Sequence, residues 1–410
     1  MATVTFLHTG DWQIGMTRRW LHGEAQARFA AARTEVVRRL GEVARDSGCE
    51  FVVVSGDVFE TNQVSHQTVR RALEALREVP VPVYLLPGNH DPLGAGSVYD
   101  SPVFVSERPP HVHVLSTPGP HPVRPGVELV AAPWFSKHPG SDLVAEALAQ
   151  AGPADGTLRV VVGHGAVDVL DPRQGDPATI ATPPLEQALA SGRVHYVALG
   201  DRHSRTEVGP TGAIWYAGAP EVTSPREQLP GDVLVVRAGE GRPEVTPRHV
   251  GRWAFRVLTR ELGGMPDIRA LDAELDAVVD KERTVVRLAL RGVLDLREDA
   301  ELARVLERHA DLFASVHLWE RHTALSVAPD PGELSDLGLG GFVAEAAAEI
   351  AAAAGPAGGD PHDRATDEPE QEPDPDLAPQ WRIELDADQR ANARDALALL
   401  YRIAGEGSGR

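Results

Sequence analysis

The sequence lacks the features that would place it in a membrane or outside the cell. It contains one cysteine, Cys49, which excludes an internal disulfide and suits a reducing cytoplasm, where we expect the protein to act. The apolar stretch over residues 342–354 is too short for a membrane span and contains two glutamates, so we expect no membrane attachment. We also expect no signal peptide, because Met1 leads directly into a strand-like segment that ends in polar residues.

Positive charge is scarce as well. The 40 lysines and arginines are outnumbered by 60 aspartates and glutamates, and the net charge of −20 argues against a general nucleic-acid binder. Part of the acidic excess is local, in residues 360–376. Six basic residues near the polar motifs described below fit phosphate contacts and a solvated surface equally well: Arg18, Arg19, Arg28, Lys137, Arg202 and Arg205. Composition therefore leaves the substrate open.

No P-loop, dinucleotide-binding glycine motif or serine nucleophile elbow occurs in a suitable strand-to-helix context. The most informative motif is Gly88-Asn89-His90-Asp91, which follows the apolar run of residues 81–87. A strand that ends in a glycine turn presents an amide oxygen, an imidazole and a carboxylate from one rim. These groups suit a metal ion with a phosphate bound to it, although the tetrapeptide alone could be an ordinary polar turn.

The same construction occurs four more times along the chain. Each time a short β-branched segment of buried-strand type ends at a glycine beside a potential metal ligand. Open α/β sheets bind ligands beyond the carboxyl ends of their strands, so five such ends can converge on one site. The four further segments end in Gly10-Asp11-Trp12-Gln13, Gly56-Asp57, Gly163-His164 and Gly200-Asp201-Arg202-His203.

This set of motifs, in this order, resembles that of the calcineurin-like metallophosphoesterases, which carry D-x-H, G-D, G-N-H-[DE], a lone His and G-H-x-H. The match points further to the SbcD-type DNA repair nucleases. Residues 8–12 (HTGDW) resemble their opening H-T-S-D-W, and residues 56–59 and 216–221 fit the same branch. The resemblance covers about the first 330 residues.

The resemblance implies a fold, a mechanism and partners. The fold is an α/β (α+β) sandwich, the four-layer metallophosphoesterase fold, with a small α+β cap domain and C-terminal helices. The function is that of a two-metal-dependent exonuclease or endonuclease, a subunit that acts on DNA together with an SbcC-type coiled-coil ATPase and that could form a homodimer. His90 would be the general acid or a phosphate donor, with Asp91 setting its tautomer. The first metal would take Asp11, Gln13, Asp57 and His203; the second would share Asp57 and take Asn89, His164 and Asp201.

Two positions depart from the family pattern. Gln13 stands where D-x-H has its histidine, and Asp201 stands where G-H-x-H has its first histidine. Both substitutes keep a ligating oxygen, and the resulting oxygen-rich site favours Mn²⁺, or Mg²⁺, over zinc. Two alternatives remain open: a phosphoesterase for small nucleotides or phosphoproteins, and a scaffold subunit whose site has decayed.

The pattern along the chain predicts five segments. Residues 1–250 would form the nuclease domain, with helices over Glu24–Asp46 and Ser65–Val79. Residues 251–330 would form an α+β cap without a ligand cluster, or else a stabilising appendage. A helical segment (331–354) and a disordered acidic Pro-rich linker (355–380) would lead to a C-terminal helix (381–410) that binds the partner or docks on its own domain.

Overall fold

The computed structural model describes residues 3–170 and 175–327, together with 345–346, 349–350, 392–393 and 396, which are helical. The chain divides into two compact units, and the second begins at Arg256. The predicted helical segment (331–354), linker (355–380) and C-terminal helix (381–410) lie outside the described residues, apart from those few positions. In the part of the chain that is described, no helix is long and apolar enough to cross a membrane.

The first unit contains twelve strands and five α-helices among its described residues. The strands are β1 (Val4–Thr9), β2 (Phe51–Val54), β3 (Val83–Leu85), β4 (Val112–Val114), β5 (Gly119–Arg124), β6 (Val127–Ala131), β7 (Leu158–His164), β8 (Tyr196–Gly200), β9 (Thr206–Glu207), β10 (Ile214–Tyr216), β11 (Asp232–Ala238) and β12 (Glu244–His249). The helices are α1 (Gly23–Asp46), α2 (His66–Arg77), α3 (Pro102–Glu107), α4 (Leu143–Gln150) and α5 (Thr182–Ala190).

These strands form two six-stranded sheets. The first has the order β12-β11-β1-β2-β3-β4 and the second the order β5-β6-β7-β8-β10-β9. Strands β1 to β4 run parallel to one another, as do β6, β7 and β8. Parallel strands leave all their carboxyl ends at one edge, so the loops that carry the polar motifs emerge together.

Three apolar cores separate four layers. One core packs helices α1 and α2 against the first sheet, and one lies between the two sheets, where Phe6 stacks on Phe51. The third packs α4 and α5 against the second sheet. Strand β2 is buried on both faces, which explains its unbroken apolar sequence. The α/β sandwich predicted from the sequence is thus confirmed.

Both predicted helices of the first unit form. Helix α1 buries Val36, Val37 and Leu40 on the face toward the first sheet. Helix α2 starts after Ser65, whose hydroxyl accepts a hydrogen bond from the Thr68 backbone N–H, as expected of an N-cap.

The second unit is an α+β arrangement in its described part. Its strands are β13 (Ala254–Leu262), β14 (Thr284–Leu294), β15 (Ser315–Leu318) and β16 (Ala324–Val327), and its helices are α6 (Met265–Asp276) and α7 (Leu296–Ala310). Strand β14 pairs with β13, β15 and β16. A capping box of Asp295 and Glu298 starts α7.

Candidate metal centre

The polar motifs converge at the carboxyl edge of the two sheets. Asp11 follows β1, Asp57 follows β2 and Asn89 follows β3, whereas His164 ends β7 and Asp201 follows β8. Ligand atoms of Asp11, Asp57 and His164 all lie within 4.8 Å of one another. All three residues are buried, so this is a pre-formed cluster and not a chance meeting of surface groups.

On one side of the centre, potential ligand atoms surround His164. Its Nε2 lies 2.7 Å from Asn89 Oδ1, 3.4 Å from Asp57 Oδ1 and 3.8 Å from Asp201 Oδ1. Adjacent ligands of one cation bound at about 2.1 Å are about 3 Å apart, so these separations suit a shared ion. The structure therefore brings together the four residues predicted for the second metal.

On the other side, His203 faces Asp11 and Gln13. Its Nε2 lies 4.0 Å from Asp11 Oδ1 and 3.1 Å from Gln13 Nε2. The other amide atom, Gln13 Oε1, is buried without a hydrogen-bond partner. A buried carbonyl oxygen without a partner is costly unless something else binds it. All seven predicted ligand residues thus surround one centre; that they bind metal stays a prediction.

The backbone at this centre is unusual. Asp11, Gln13, Asp57 and Asp201 have φ values of 52°, 47°, 54° and 95°, and within the described ranges only two other non-glycine residues have positive φ. Such conformations cost about 1–3 kcal/mol each and persist where the surrounding structure imposes them, often at functional sites. Nothing in the sequence indicated this clustering.

Two glycines allow the loops to approach this closely. A Cβ at Gly88 would lie 2.2 Å from Asp57 Oδ1, and a Cβ at Gly200 would lie 1.8 Å from the Ser55 carbonyl oxygen. Neither position can accept a side chain without movement of the backbone, so each glycine is required by the geometry of the centre.

Both histidines are oriented through Nδ1. The His164 Nδ1–H donates to the Ser55 carbonyl oxygen at 2.9 Å. His203 Nδ1 lies 2.7 Å from Thr223 Oγ1 and 3.1 Å from Glu227 Oε1. In each ring a proton held on Nδ1 leaves Nε2 directed at the centre, the arrangement found in metal-binding histidines. Sequence reasoning missed Ser55, Thr223 and Glu227, since only the fold brings them to these rings.

The pKa values of the buried side chains show that the centre carries an excess of negative charge. Burial raises the pKa of Asp11 to about 6, although His203 and His164 oppose the shift. Burial also disfavours the charged form of His164, yet its carboxylate neighbours, Asp57 above all, raise the pKa of His164 well above its usual value. For Asp57, burial acts to raise the pKa, but His164 and His90 together outweigh this effect and lower the pKa. The excess negative charge of the buried carboxylates thus favours binding of a proton at this centre.

These observations fit divalent metal ions. Three carboxylates, two imidazoles and two amides supply a mainly oxygen donor set, and Gln13 Oε1 has no partner within the protein. A cation would replace the proton that the carboxylates hold on the histidines, so we expect metal binding to release protons.

His90 lies at the rim of the centre. Its backbone N–H donates to Asp57 Oδ1 at 2.9 Å, and its ring Nδ1–H donates to the Glu60 carbonyl oxygen at 2.8 Å. Its Nε2 lies 4.0 Å from Asp57 Oδ2, and about a third of the side chain is exposed, at 37%. His90 thus presents a partly exposed ring beside the centre, and its contact with a phosphate stays a prediction.

The expectation that Asp91 sets the tautomer of His90 is wrong. The Asp91 carboxylate is fully buried and accepts hydrogen bonds from Gly88 N at 2.8 Å, Phe59 N at 3.0 Å and the Tyr99 hydroxyl at 2.6 Å. It closes the turn after β3, and burial raises the pKa of Asp91 to about 6. The Glu60 carbonyl takes the part expected of Asp91, and a backbone acceptor leaves no sequence signal.

The second unit does contain a group of possible ligands, contrary to expectation. Asp272 and Asp276 are one turn apart on α6, and His309 of α7 lies 2.8 Å from Asp272 and 3.9 Å from Asp276. Arg308 contacts both carboxylates and already supplies the compensating cation. The sequence separation of α6 and α7 concealed this group.

The residues of this centre lie within the part of the chain that matches a known family. Residues 4–205 match the model of the family described as calcineurin-like phosphoesterase. Over 89 residues the chain is 33% identical to the DNA double-strand break repair protein Mre11 of Methanococcus maripaludis, a match to 21% of this chain and 23% of that protein. The chain therefore matches only about a quarter of this relative's length.

Solved structures resemble the chain more distantly. A crystal structure from Thermus thermophilus aligns at a TM-score of 0.36 and 11% identity, over 61% of this chain and all of that one. A dimetal phosphatase from Danio rerio aligns at a TM-score of 0.36 and 12% identity, over 59% of this chain and 98% of that one.

Proposed function

We propose that this chain, whose residues 4–205 form a calcineurin-like metallophosphoesterase domain, hydrolyses phosphodiester bonds in DNA with two divalent metal ions. The observation that carries the proposal is the convergence of Asp11, Asp57 and His164 within 4.8 Å, with Asn89 and His203 beside them. The strained backbone at four of the proposed ligands supports a working centre over a decayed scaffold.

The choice of DNA rests on two further observations. The first is the partial match to Mre11, a protein named for DNA double-strand break repair. The second is the position of Arg18, whose guanidinium donates to the Thr223 carbonyl at 2.6 Å. The hydroxyl of Thr223 contacts His203, so Arg18 lies close to the centre. Arg28 and Arg205 are paired with Glu24 and Asp232, so Arg18 is the better placed for a substrate phosphate.

The proposed roles of the residues follow from their positions. Asp57 would bridge both ions, with Asp11, Gln13 and His203 on one side and Asn89, His164 and Asp201 on the other. When bound, two divalent ions supply a nucleophile at neutral pH and stabilise charge on the phosphoryl oxygens. His90, fixed through Nδ1 by the Glu60 carbonyl, directs Nε2 at the centre; as an imidazolium it would donate the Nε2 proton to the leaving oxygen or a hydrogen bond to the phosphate.

The oxygen-rich donor set favours Mn²⁺, with Mg²⁺ second, over zinc. By resemblance, the chain would be the nuclease subunit of an SbcCD-like repair complex, with an SbcC-type coiled-coil ATPase as its partner. Residues 251–330 would act as a cap that helps to select DNA ends. The C-terminal helix would supply the contact with the ATPase.

A second candidate function keeps the chemistry and changes the substrate. The net charge of −20 favours a small nucleotide or a phosphoprotein over a long polyanion, because a polyanion is repelled by an acidic surface. Both candidates hydrolyse a phosphoester at the same centre, and they differ in the molecule that carries it.

Digestion of linear duplex DNA, compared with hydrolysis of a chromogenic phosphodiester, tests the proposal. Both assays are run with Mn²⁺, and the Asp57→Ala variant controls for contaminating nucleases. We expect Mn²⁺-dependent degradation of the DNA by the wild type alone. Hydrolysis of the chromogenic ester without DNA degradation, also in the presence of the ATPase, would favour the second candidate.

A further inference from the structure

The two histidines of the centre are held by different chemistry. His164 donates its Nδ1–H to a neutral acceptor, the Ser55 carbonyl oxygen, at 2.9 Å. His203 faces a carboxylate, Glu227, through the same ring atom at 3.1 Å. A carboxylate behind an imidazole makes the ring a stronger donor to a cation than a carbonyl does.

Glu227 is built into this position. Its side chain is only 6% exposed, and its carboxylate accepts hydrogen bonds from the Thr223 backbone N–H at 2.9 Å and from the Thr223 hydroxyl. Thr223 Oγ1 in turn lies 2.7 Å from His203 Nδ1. Glu227 and Thr223 are thus hydrogen-bonded to each other, and both contact Nδ1 of the imidazole.

The hydrogen bonds among His203, Thr223 and Glu227 determine which ring nitrogen carries the proton. A carboxylate accepts only, so the proton of the neutral ring is on Nδ1, and Nε2 presents a lone pair. That lone pair faces Asp11, whose Oδ1 is 4.0 Å away, and the Gln13 amide nitrogen lies 3.1 Å from it. It is the atom that a cation between Asp11 and Gln13 would bind.

We infer that Glu227 is a positioning residue for the proposed metal site of Asp11, Gln13 and His203. By holding the proton of His203 on Nδ1 and adding a negative charge behind the ring, Glu227 strengthens the site in which an amide, Gln13, is the weakest donor. The inference rests on the proposed function only in so far as a divalent ion binds here. Removal of the Glu227 charge should therefore weaken this metal site and leave the other one unchanged.

The test measures Mn²⁺ binding by calorimetry and by electron paramagnetic resonance in the full-length protein. Glu227→Gln keeps the shape and an acceptor oxygen but removes the charge. We expect affinity for one of two ions to fall about 10–100-fold, as for other outer carboxylates, while the other ion binds as in the wild type. Glu227→Asp should recover part of the loss.

The control is Glu240→Gln, which removes the same charge from an exposed residue just after β11. Strand β11 is antiparallel to β1 and pairs Ala238 with Val4, so Glu240 lies at the sheet edge opposite the centre. This variant should bind both ions as the wild type does. Nitrogen NMR of His203 adds a second readout, since the share of the Nδ1–H tautomer should fall in Glu227→Gln only.

Equal affinities for both ions in Glu227→Gln and the wild type would overturn the inference, as would equal weakening by Glu240→Gln. A Glu227→Gln protein with an altered circular dichroism spectrum or thermal midpoint in EDTA would also overturn it, because the role would then be general folding. Two-ion binding that depends on Glu227, without any cleavage of DNA, would support the inference and refute the proposed substrate.

Discussion

Replacing His8 by glutamine should make the protein less sensitive to acid. His8 opens the HTGDW motif, yet it is fully buried below the centre, where Nδ1 lies 3.0 Å from the Tyr196 hydroxyl and Nε2 lies 3.2 Å from Ser55 Oγ. Burial lowers the pKa of His8 to about 3, because a charged imidazole would lose its hydration there.

The magnitude follows from proton linkage. The unfolded chain binds a proton at His8 with a pKa near 6.5, whereas the folded protein does not until about pH 3. The stability that neutral His8 contributes is therefore complete above pH 6.5 and is lost as the pH falls below that value. At pH 5, which is 1.5 units lower, the wild type should have lost about 2 kcal/mol through this residue, at 1.36 kcal/mol per unit.

The assay is urea unfolding in EDTA at pH 7.5 and pH 5, for the wild type and His8→Gln. At pH 7.5 the variant should be less stable by about 1–3 kcal/mol, since glutamine cannot keep both hydrogen bonds. At pH 5 this gap should shrink by about 2 kcal/mol, because only the wild type incurs the linkage penalty. The exposed His66, replaced by glutamine, controls for the loss of one histidine. A gap that is the same at both pH values would refute the burial argument.

Three further predictions concern the centre and the C-terminal region. His90→Ala should abolish turnover but keep metal occupancy near wild type by elemental analysis, whereas Asp57→Ala should lose both; an empty site in His90→Ala would contradict the assigned roles. Gln13→His combined with Asp201→His should keep the fold and shift metal preference toward zinc, since imidazole is a softer ligand; an unchanged metal profile would mean that these side chains do not bind metal. Deletion from Trp381 onward should leave hydrolysis of a small phosphodiester intact and abolish co-purification with the ATPase, and equal recovery of both forms would place that contact elsewhere.

Much of the fold could be predicted because its signals are local. The unbroken apolar run of β2 and the serine cap of α2 each depend on a few consecutive residues, and both elements form as expected. Strand β16 carries no such signal, because it has only four residues, none of them fully buried, and they lack a distinct apolar pattern. The potential ligands could be located because each group of them stands beside a glycine at or just beyond the carboxyl end of a strand.

What the sequence could not show is how these side chains are held. Ser55 and Glu60 act through backbone carbonyls, which every residue possesses, so their identities carry no signal. Glu227 reaches His203 from 24 residues further along the chain. The role expected of Asp91 failed because the turn after β3 directs its carboxylate inward, away from the ring of His90.

The two departures from the family pattern have a meaning that only the backbone reveals. At position 201 the main-chain N–H donates to both carboxylate oxygens of Asp11, at 3.0 and 3.2 Å, whatever side chain is present. At position 13 the N–H donates to the Asp57 carbonyl at 2.9 Å. The strained conformations of Gln13 and Asp201 therefore serve to orient the two buried aspartates, apart from any ligation by their own side chains. A histidine can be exchanged at either position while the main-chain contacts persist, which is why these substitutions change the expected metal preference without implying that the centre has decayed.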